Sequence, residues 1–314
     1  MKTKYVAIAA AVSIAAVVGT SLFFSLYVSR QEDYVPAVAD IPEPAKPVVK
    51  TGLPDNWADT YNYVPSPNGI TSLAKHFLKI SPDYAGWIKM PGTKIDDAFT
   101  YDPLNEDRTG TQFYLSHSLD DTPSVGGAIF IDYESRFNSV GSNQSENIIF
   151  WGHNMKNDSM FGSLRKLRQN PKTYVDSPMI ELRSNYEDSQ YIIFGFLLTK
   201  AYQERAEFRY TNPETGDETI GFWNMVNLDT EDYFKYYVDK VRELSMYDTG
   251  IDVRPGDKLI TLATCYKAYD NERFIVVARK LRPHETSFEN VDRTEAYLEK
   301  IRQEEKAAAT KAAE

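Results

Sequence analysis

The sequence predicts a mainly β protein, a closed or nearly closed antiparallel barrel with peripheral helices, carried on an N-terminal transmembrane helix. Short strand-like segments recur along the chain with turn signals between them, which is typical of such barrels. The aromatic content of 13%, with 21 Tyr and 16 Phe, also suits β-structure. The third observation is a long uncharged apolar stretch near the N-terminus. A net charge of −10 argues against a nucleic-acid partner, which requires a basic face.

Residues 5–28 contain no charged side chain, and at 1.5 Å per residue this stretch spans about 36 Å as a helix, enough to cross a bilayer. Lys2 and Lys4 precede it, so the positive-inside rule places residues 1–4 in the cytoplasm and the rest of the chain outside. The alternative is a cleaved signal peptide, which the small residues near Gly19 would permit. Because the apolar run exceeds a usual signal-peptide core, we expect an uncleaved anchor on the cell membrane.

The remaining chain divides into three predicted parts. Residues 29–66 form a linker that holds the folded part off the membrane, since six prolines interrupt any apolar periodicity. Residues 67–283 form one folded domain. Residues 284–314 are charged and alanine-rich, and we expect a helical or disordered tail.

Within the domain, the first element is a helix that begins at Ser72, has Phe77 and Ile80 on its apolar face, and ends before Pro82. Strand-like segments follow at residues 86–90, 112–115, 127–131, 147–151, 179–182, 190–199, 258–264 and 273–281. Apolar residues at helical spacing predict a helix from Met160 to Leu167 and a stronger one from Tyr233 to Leu244. Both stripes indicate core packing.

The single cysteine, Cys265, excludes an intrachain disulfide. The strand-like residues 258–264 run directly into it, and Arg273 opens the next strand-like segment. Far upstream, His153 follows the strand-like residues 147–151. Three strands could therefore bring a thiol, an imidazole and a guanidinium to one place.

These three groups suffice for acyl transfer. A thiol attacks as the thiolate, which nearby positive charge stabilises. An imidazole that titrates near neutrality can protonate a departing amine. An arginine offers fixed donors to the oxyanion of a tetrahedral intermediate. The alternatives are that Cys265 is inert at a strand end, that His153 caps the helix after it, and that Arg273 makes a surface ion pair.

Residues 261–265, Thr-Leu-Ala-Thr-Cys, together with Arg273, resemble the signature of sortases, the membrane-anchored cysteine transpeptidases of Gram-positive bacteria. The resemblance covers about residues 70–283. Features similar to class B members lie at residues 83–88, 92–96, 114–115, 127–133, 152–155 and 159–162, and in the helix around residues 232–246. One departure is Ala263, where class B members often carry serine, and we expect its effect to be minor.

The resemblance implies an eight-stranded barrel with the site at one end, and no cofactor or metal. It assigns Cys265 as the nucleophile, His153 as the proton donor and Arg273 as the group that orients substrate and stabilises the oxyanion. The implied reaction cleaves a C-terminal Pro-x-Thr sorting signal of a surface protein after threonine. The acceptor of the resulting thioacyl-enzyme would be an amine of the peptidoglycan precursor, on lipid II or a stem-peptide cross-bridge, with catalysis outside the membrane.

The residues beside the nucleophile are further candidates for substrate binding. Leu262 and Thr264 would shape the pocket for the substrate threonine and proline, and Tyr266 would line the groove. The alternative for each is strand packing. Residues 170–173, Asn-Pro-Lys-Thr, resemble a sorting signal, but they lie mid-domain, and we interpret them as a helix stop and turn.

Three rival functions differ in their sequence requirements. A pilin-polymerising sortase would keep the same chemistry but use a lysine amine as acceptor. A non-catalytic sortase-like binding module would be expected to lose the cysteine, histidine or arginine, and all three are present. A papain-like protease places cysteine before histidine along the chain, whereas the order here is reversed.

Overall fold

The computed structural model describes residues 72–102, 110–137, 144–170, 172–185, 187–200, 210–211, 218–219, 223, 225–267 and 272–313. The strands are Tyr84–Lys89 (β1), Asp96–Thr100 (β2), Ile129–Ile131 (β3), Asn147–Trp151 (β4), Met179–Ser184 (β5), Asp188–Lys200 (β6), Tyr210–Thr211 (β7), Glu218–Thr219 (β8), Leu259–Lys267 (β9) and Glu272–Lys280 (β10). The α-helices are Ser72–Phe77 (α1), Arg165–Gln169 (α2), Lys172–Asp176 (α3), Glu231–Leu244 (α4) and Glu295–Ala313 (α5). Single turns of 3₁₀ helix lie at Gly162–Leu164 and Phe288–Asn290, and a longer one lies at Gly110–Leu115.

Eight of the strands close into a barrel in the order β1-β2-β3-β4-β9-β10-β6-β5, while β7 and β8 pair separately. The predicted mainly β fold with an eight-stranded barrel is therefore confirmed. The expectation of a purely antiparallel barrel was wrong, because β2 pairs parallel with β3 and β4 pairs parallel with β9. Parallel neighbours need long crossover connections. The connection from β4 to β9 contains β5, β6, β7, β8 and helix α4.

Side chains alternate between the barrel interior and an outer layer. Along β9, Ile260 and Leu262 belong to the interior cluster, whereas Leu259 and Ala263 pack in the outer one. The amphipathic helix α4 covers this outer layer and buries Tyr237 among other apolar side chains. Because one face of the sheet is sealed by the barrel core and the other by α4, strands β9 and β10 are buried on both sides along most of their length.

A closed ring of buried hydrogen bonds fixes α4 against the barrel. Thr261 Oγ1 donates to Asn147 Oδ1 at 2.8 Å, and Asn147 Nδ2 donates to the Tyr237 hydroxyl at 3.2 Å. The Tyr237 hydroxyl lies 2.7 Å from Thr261 Oγ1 and completes the ring as its donor. The ring joins β4, β9 and α4, so the two parallel strands are held in one register.

A buried ion pair anchors the segment that follows β10. Arg279 donates through Nη1 and Nη2, each at 2.6 Å, to the two carboxylate oxygens of Glu285. Burial raises the pKa of Glu285, but the bonds from Arg279 and from the backbone N–H of Arg282 outweigh it and hold the pKa below its ordinary value. The start of the predicted tail is thus packed into the fold, and α5 follows it as a long helix.

Three predicted elements differ from the structure. Residues 112–115 lie in a 3₁₀ helix, not a strand, because Tyr114 turns inward and its carbonyl accepts from Ala128 N at 2.9 Å. Helix α1 ends at Phe77, so Ile80 lies beyond it and is 46% exposed. Met160 has a φ of +49° and lies in a loop before the helix that it was expected to begin.

The predicted transmembrane segment, residues 5–28, and the linker, residues 29–66, lie outside the described residues. Among the residues that are described, no helix combines the length and the apolar character needed to cross a membrane.

Candidate active site

Strand pairing brings His153, Cys265 and Arg273 to one edge of the barrel. Trp151 on β4 pairs with Ala263 on β9 in parallel register, so His153 and Cys265 each lie two residues beyond a matched pair. Arg273 on β10 is the direct antiparallel partner of Cys265. Neighbouring strands lie about 4.8 Å apart. We call His153, Cys265 and Arg273 the site row.

The alternation of side chains places Cys265 and Arg273 on the outer face of the barrel. Ala263 and Ile275, which pair with each other, both pack in the outer cluster. Cys265 and Arg273 lie two positions further along their strands and therefore project to the same side. Cys265 is partly exposed, so its thiol is not an inert core group.

His153 is oriented by a backbone carbonyl. Its Nε2 lies 2.7 Å from the carbonyl oxygen of Leu115, the last residue of the 3₁₀ helix Gly110–Leu115. A carbonyl only accepts, so Nε2 carries a hydrogen in both the neutral and the charged imidazole. The tautomer assigned from this bond leaves Nδ1 as the nitrogen that exchanges a proton.

A buried side-chain hydrogen bond joins the residues that precede the thiol and the imidazole. Thr264 Oγ1 donates to the carbonyl of Gly152 at 2.6 Å. Gly152 N in turn donates to the carbonyl of Ala263 at 3.3 Å, just after the regular pairing of β4 with β9 ends. These two bonds fix the spacing between Cys265 and His153.

The loop after His153 is held by Arg165 of α2. Its guanidinium donates to four neighbouring residues: Nη1 to Asn154 Oδ1 at 2.9 Å and Met155 O at 2.7 Å, Nη2 to Lys156 O at 2.8 Å and to the Asp158 carboxylate. Asp158 and Met160 have φ of +73° and +49°, a strained conformation for residues with side chains. The Arg165 bonds supply the compensating interactions that keep this loop in one shape.

Arg273 is held loosely. Within the described part of the chain its guanidinium makes one hydrogen bond, from Nη1 to the carbonyl of Glu272 at 3.4 Å. Its Nε is buried without a hydrogen-bond partner among the same residues. The predicted alternative of a surface ion pair is not found there, and the Nη groups can donate to a substrate.

The other three predicted site residues do not join the site row. Leu262, Thr264 and Tyr266 lie an odd number of positions from Cys265 and face the barrel interior. Leu262 is fully buried in the interior core. Tyr266 packs at the mouth of the barrel, where the Arg168 guanidinium lies 4.5 Å above its ring. The expected role of these three residues in substrate binding stays a prediction.

Sequence reasoning missed the contributions of Leu115 and Arg165. Leu115 acts through its carbonyl, and a backbone group leaves no trace in residue type. Arg165 lies in a segment whose apolar spacing predicted only core packing, and its polar reach depends on the loop that folds around it.

One group of side chains has the composition of a metal site. His284, Glu285 and Asp292 lie close together among the described residues, at the opposite end of β10 from Arg273. The Glu285 carboxylate is already engaged by Arg279, and Asp292 Oδ2 accepts from Arg282 at 2.8 Å. Because guanidinium groups occupy these oxygens, the cluster is a structural ion-pair network.

Comparisons with known proteins identify the family. The sortase domain family matches residues 116–281, more than half of the chain. Sortase B of Listeria monocytogenes is 28% identical over 200 residues, covering 63% of this chain and 70% of that protein.

Two solved structures have the same fold. Sortase B of Clostridium perfringens matches with 26% identity and a TM-score of 0.53, covering 66% of this chain and 99% of that one. A Staphylococcus aureus sortase B–substrate complex matches with 19% identity and a TM-score of 0.55, covering 72% and 89%. The chain belongs to the sortase family of cysteine transpeptidases, and its resemblance to class B members is confirmed.

Proposed function

We propose that this protein is a membrane-anchored transpeptidase that cleaves a C-terminal Pro-x-Thr sorting signal after threonine and joins the released carboxyl group to an amine of the peptidoglycan precursor. The observation that carries the proposal is the site row, in which a thiol lies between an imidazole and a guanidinium on adjacent strands. The family to which the chain belongs supports the reaction class.

Acylation begins when the Cys265 thiolate attacks the carbonyl carbon of the substrate threonine. The carbonyl oxygen becomes an oxyanion, and Arg273 donates to it through its Nη groups. Collapse of the intermediate breaks the peptide bond. The His153 imidazolium gives its Nδ1 proton to the departing amine, while Nε2–H remains bonded to the Leu115 carbonyl.

Deacylation reverses these proton movements. Neutral His153 accepts a proton at Nδ1 from the incoming amine as that amine attacks the thioester carbonyl. The new amide bond forms, the carbon–sulfur bond breaks, and Cys265 leaves as the thiolate beside an imidazolium. The site then returns to its starting charge state, so neither step requires a metal or an organic cofactor.

The acceptor and the location are parts of the same proposal. The uncharged residues 5–28 and the lysines before them support an anchor with the domain outside the membrane. Peptidoglycan precursors present their amines on that side. A sortase that polymerises pilins would instead use a lysine amine of a protein, and a choice between the two acceptors separates these functions.

The test combines full-length protein in detergent with a panel of peptides that contain Asn-Pro-x-Thr, Ser-Pro-x-Thr or Leu-Pro-x-Thr cores. Acceptors are a cross-bridge peptide amine and a peptide carrying a free lysine amine. We expect cleavage after threonine, with product joined to the cross-bridge amine. Transfer to the lysine peptide alone would favour pilin polymerisation.

Matched variants make the test specific. Cys265→Ala and His153→Ala should abolish cleavage. His117→Ala is the control, since His117 is a nearby histidine whose ring stacks on Phe113 and lies outside the site row. A folded wild-type protein that cleaves no peptide of the panel, or a His153→Ala variant as active as His117→Ala, would contradict the proposal.

A further inference from the structure

Thr199 lies beside the site row on the next strand. It is the direct antiparallel partner of Arg273 in the pairing of β6 with β10. The strand order β4-β9-β10-β6 therefore places Thr199 on one side of Arg273 and Cys265 on the other. Leu197, two residues before Thr199, packs in the outer cluster, so Thr199 projects to the same outer face as Cys265 and Arg273.

Thr199 and Arg273 each carry a buried polar atom without a hydrogen-bond partner among the described residues. Thr199 is only 4% exposed, and its Oγ1 has no hydrogen-bond partner among the residues that the structure describes. The Nε of Arg273 is also buried and has no hydrogen-bond partner among these residues. Buried polar groups without partners are costly, and they are uncommon in folded proteins. Here one is an N–H donor and the other a hydroxyl that can accept, on residues directly opposite each other in the sheet.

We propose that Thr199 is a positioning residue for Arg273: in the acylating enzyme its hydroxyl accepts the hydrogen bond of Arg273 Nε–H. To form this bond, the Arg273 side chain would rotate and break its hydrogen bond from Nη1 to the Glu272 carbonyl, which is weak because it is 3.4 Å long. The inference rests on the proposed function of Arg273 as the oxyanion donor.

The shape of the guanidinium explains why this bond would matter. The group is planar, and its five N–H donors point in fixed directions. When Nε–H is directed toward Thr199 on β6, the edge that carries the Nη groups turns toward β9 and Cys265. A single hydroxyl on the far side of the arginine thus aims its donors at the carbonyl held over the thiol.

The test compares Thr199→Val, which has nearly the same shape but no hydroxyl, with Thr199→Ser, which keeps the hydroxyl. Thr100→Val is the matched control. Thr100 is also fully buried with an unpartnered Oγ1 among the described residues, and it lies on β2, four strands from β10 in either direction around the barrel. All variants are made in the full chain, and their rates of peptide cleavage and thermal midpoints are measured.

We expect Thr199→Val to lower kcat about 10- to 100-fold with little change in KM, since the lost bond involves a charged group and acts in the transition state. Thr199→Ser should restore most of the rate. Neither valine variant should lower the thermal midpoint, because neither hydroxyl has a partner among the described residues of the resting fold. A purely structural role for Thr199 would instead lower the midpoint and leave kcat unchanged, which would overturn the inference.

A double-mutant cycle with Arg273→Lys isolates the pair. Lysine has no Nε–H at the position of the arginine donor, so Thr199→Val should change the rate less than about twofold in that background. Equal losses in both backgrounds would show that Thr199 does not act through Arg273 and would overturn the inference.

The same double-mutant cycle can be measured without any peptide, by the rate at which iodoacetamide alkylates Cys265 in each variant. When Arg273 turns so that its Nε–H bonds Thr199, its positive charge also approaches Cys265 and favours the reacting thiolate, so Thr199→Val should slow alkylation only when Arg273 is present. Coupling in alkylation without peptide cleavage by the wild type would refute the proposed function and support the positioning role. Peptide cleavage by the wild type, with additive effects of Thr199→Val and Arg273→Lys in both assays, would support the proposed function and refute the positioning role.

Discussion

The hydrogen bond from Thr264 to Gly152 offers the sharpest test of how the fold positions the site. Thr264→Val removes the hydroxyl and keeps the shape, so no cavity forms and the Gly152 carbonyl loses its buried donor. Leaving a buried acceptor unpaired costs about 1–3 kcal/mol. In a domain of this size, each kcal/mol lowers the thermal midpoint by about 2–4 °C, so the expected loss is roughly 2–12 °C.

The effect on chemistry should exceed the effect on stability. Thr264 and Gly152 directly precede Cys265 and His153, and a small displacement of reacting groups can cost about 100-fold in rate. The assay is calorimetry together with the rate of acyl-enzyme formation. Thr264→Ser retains the hydroxyl and should keep the rate within about threefold, losing only the buried methyl group. A valine variant with an unchanged midpoint and rate, or a serine variant as impaired as valine, would refute this reasoning.

Three further outcomes follow from other contacts. Glu285→Gln should destabilise the fold by about 3–5 kcal/mol, because it removes the close carboxylate partner of the buried Arg279 and leaves it the longer ion pair to Asp257, at 3.9 Å. A denaturant midpoint equal to that of wild type would contradict this. Burial raises the pKa of Asp97 to about 7 from an ordinary value of 3.8, so this carboxyl favours the folded state at low pH and loses that contribution as the pH rises from about 4 to 7. Asp97→Asn should therefore flatten the fall in the free energy of unfolding across this pH range. An unchanged pH profile of stability in the variant would show that the carboxyl is not desolvated. Arg165→Lys cannot satisfy the loop after His153, so acylation should slow about tenfold with the fold intact; an unaltered rate would mean that the loop needs no such support.

The sequence predicted those parts of the fold that depend on local pattern. Helix α4 was expected from Tyr233 to Leu244 and runs from Glu231 to Leu244, because an apolar stripe at helical spacing and the Thr230 cap both define it locally. The strands that carry Cys265 and Arg273, β9 and β10, were predicted for the same reason.

What the sequence did not predict depends on contacts between distant segments. The parallel pairing of β4 with β9 joins Asn147 to Leu259, and no local pattern encodes that register. Residues 112–115 alternate like a strand, yet tertiary packing of Tyr114 makes them a 3₁₀ helix. The same limit applies to the site: the types of Cys265, His153 and Arg273 predicted chemistry, whereas the place of Thr199 beside them emerges only from strand order.

This distinction explains why three candidate residues lie on the opposite face of β9 from the thiol. Leu262, Thr264 and Tyr266 were proposed for the substrate pocket because they flank the nucleophile along the chain. In a strand, immediate neighbours point to opposite faces, so adjacency in sequence places them behind the thiol. Residues on the outer face come instead from neighbouring strands at the same level of the sheet.

The thioacyl mechanism is tested best by the mass of the intact protein after it is mixed with each sorting-signal peptide, with the adduct located by peptide mapping. We expect one peptide to add the mass of its N-terminal half to Cys265, with no adduct in Cys265→Ala and faster release when a cross-bridge amine is added. A folded wild-type protein that cleaves a peptide without a covalent adduct at Cys265, or carries the adduct at another residue, would contradict the mechanism.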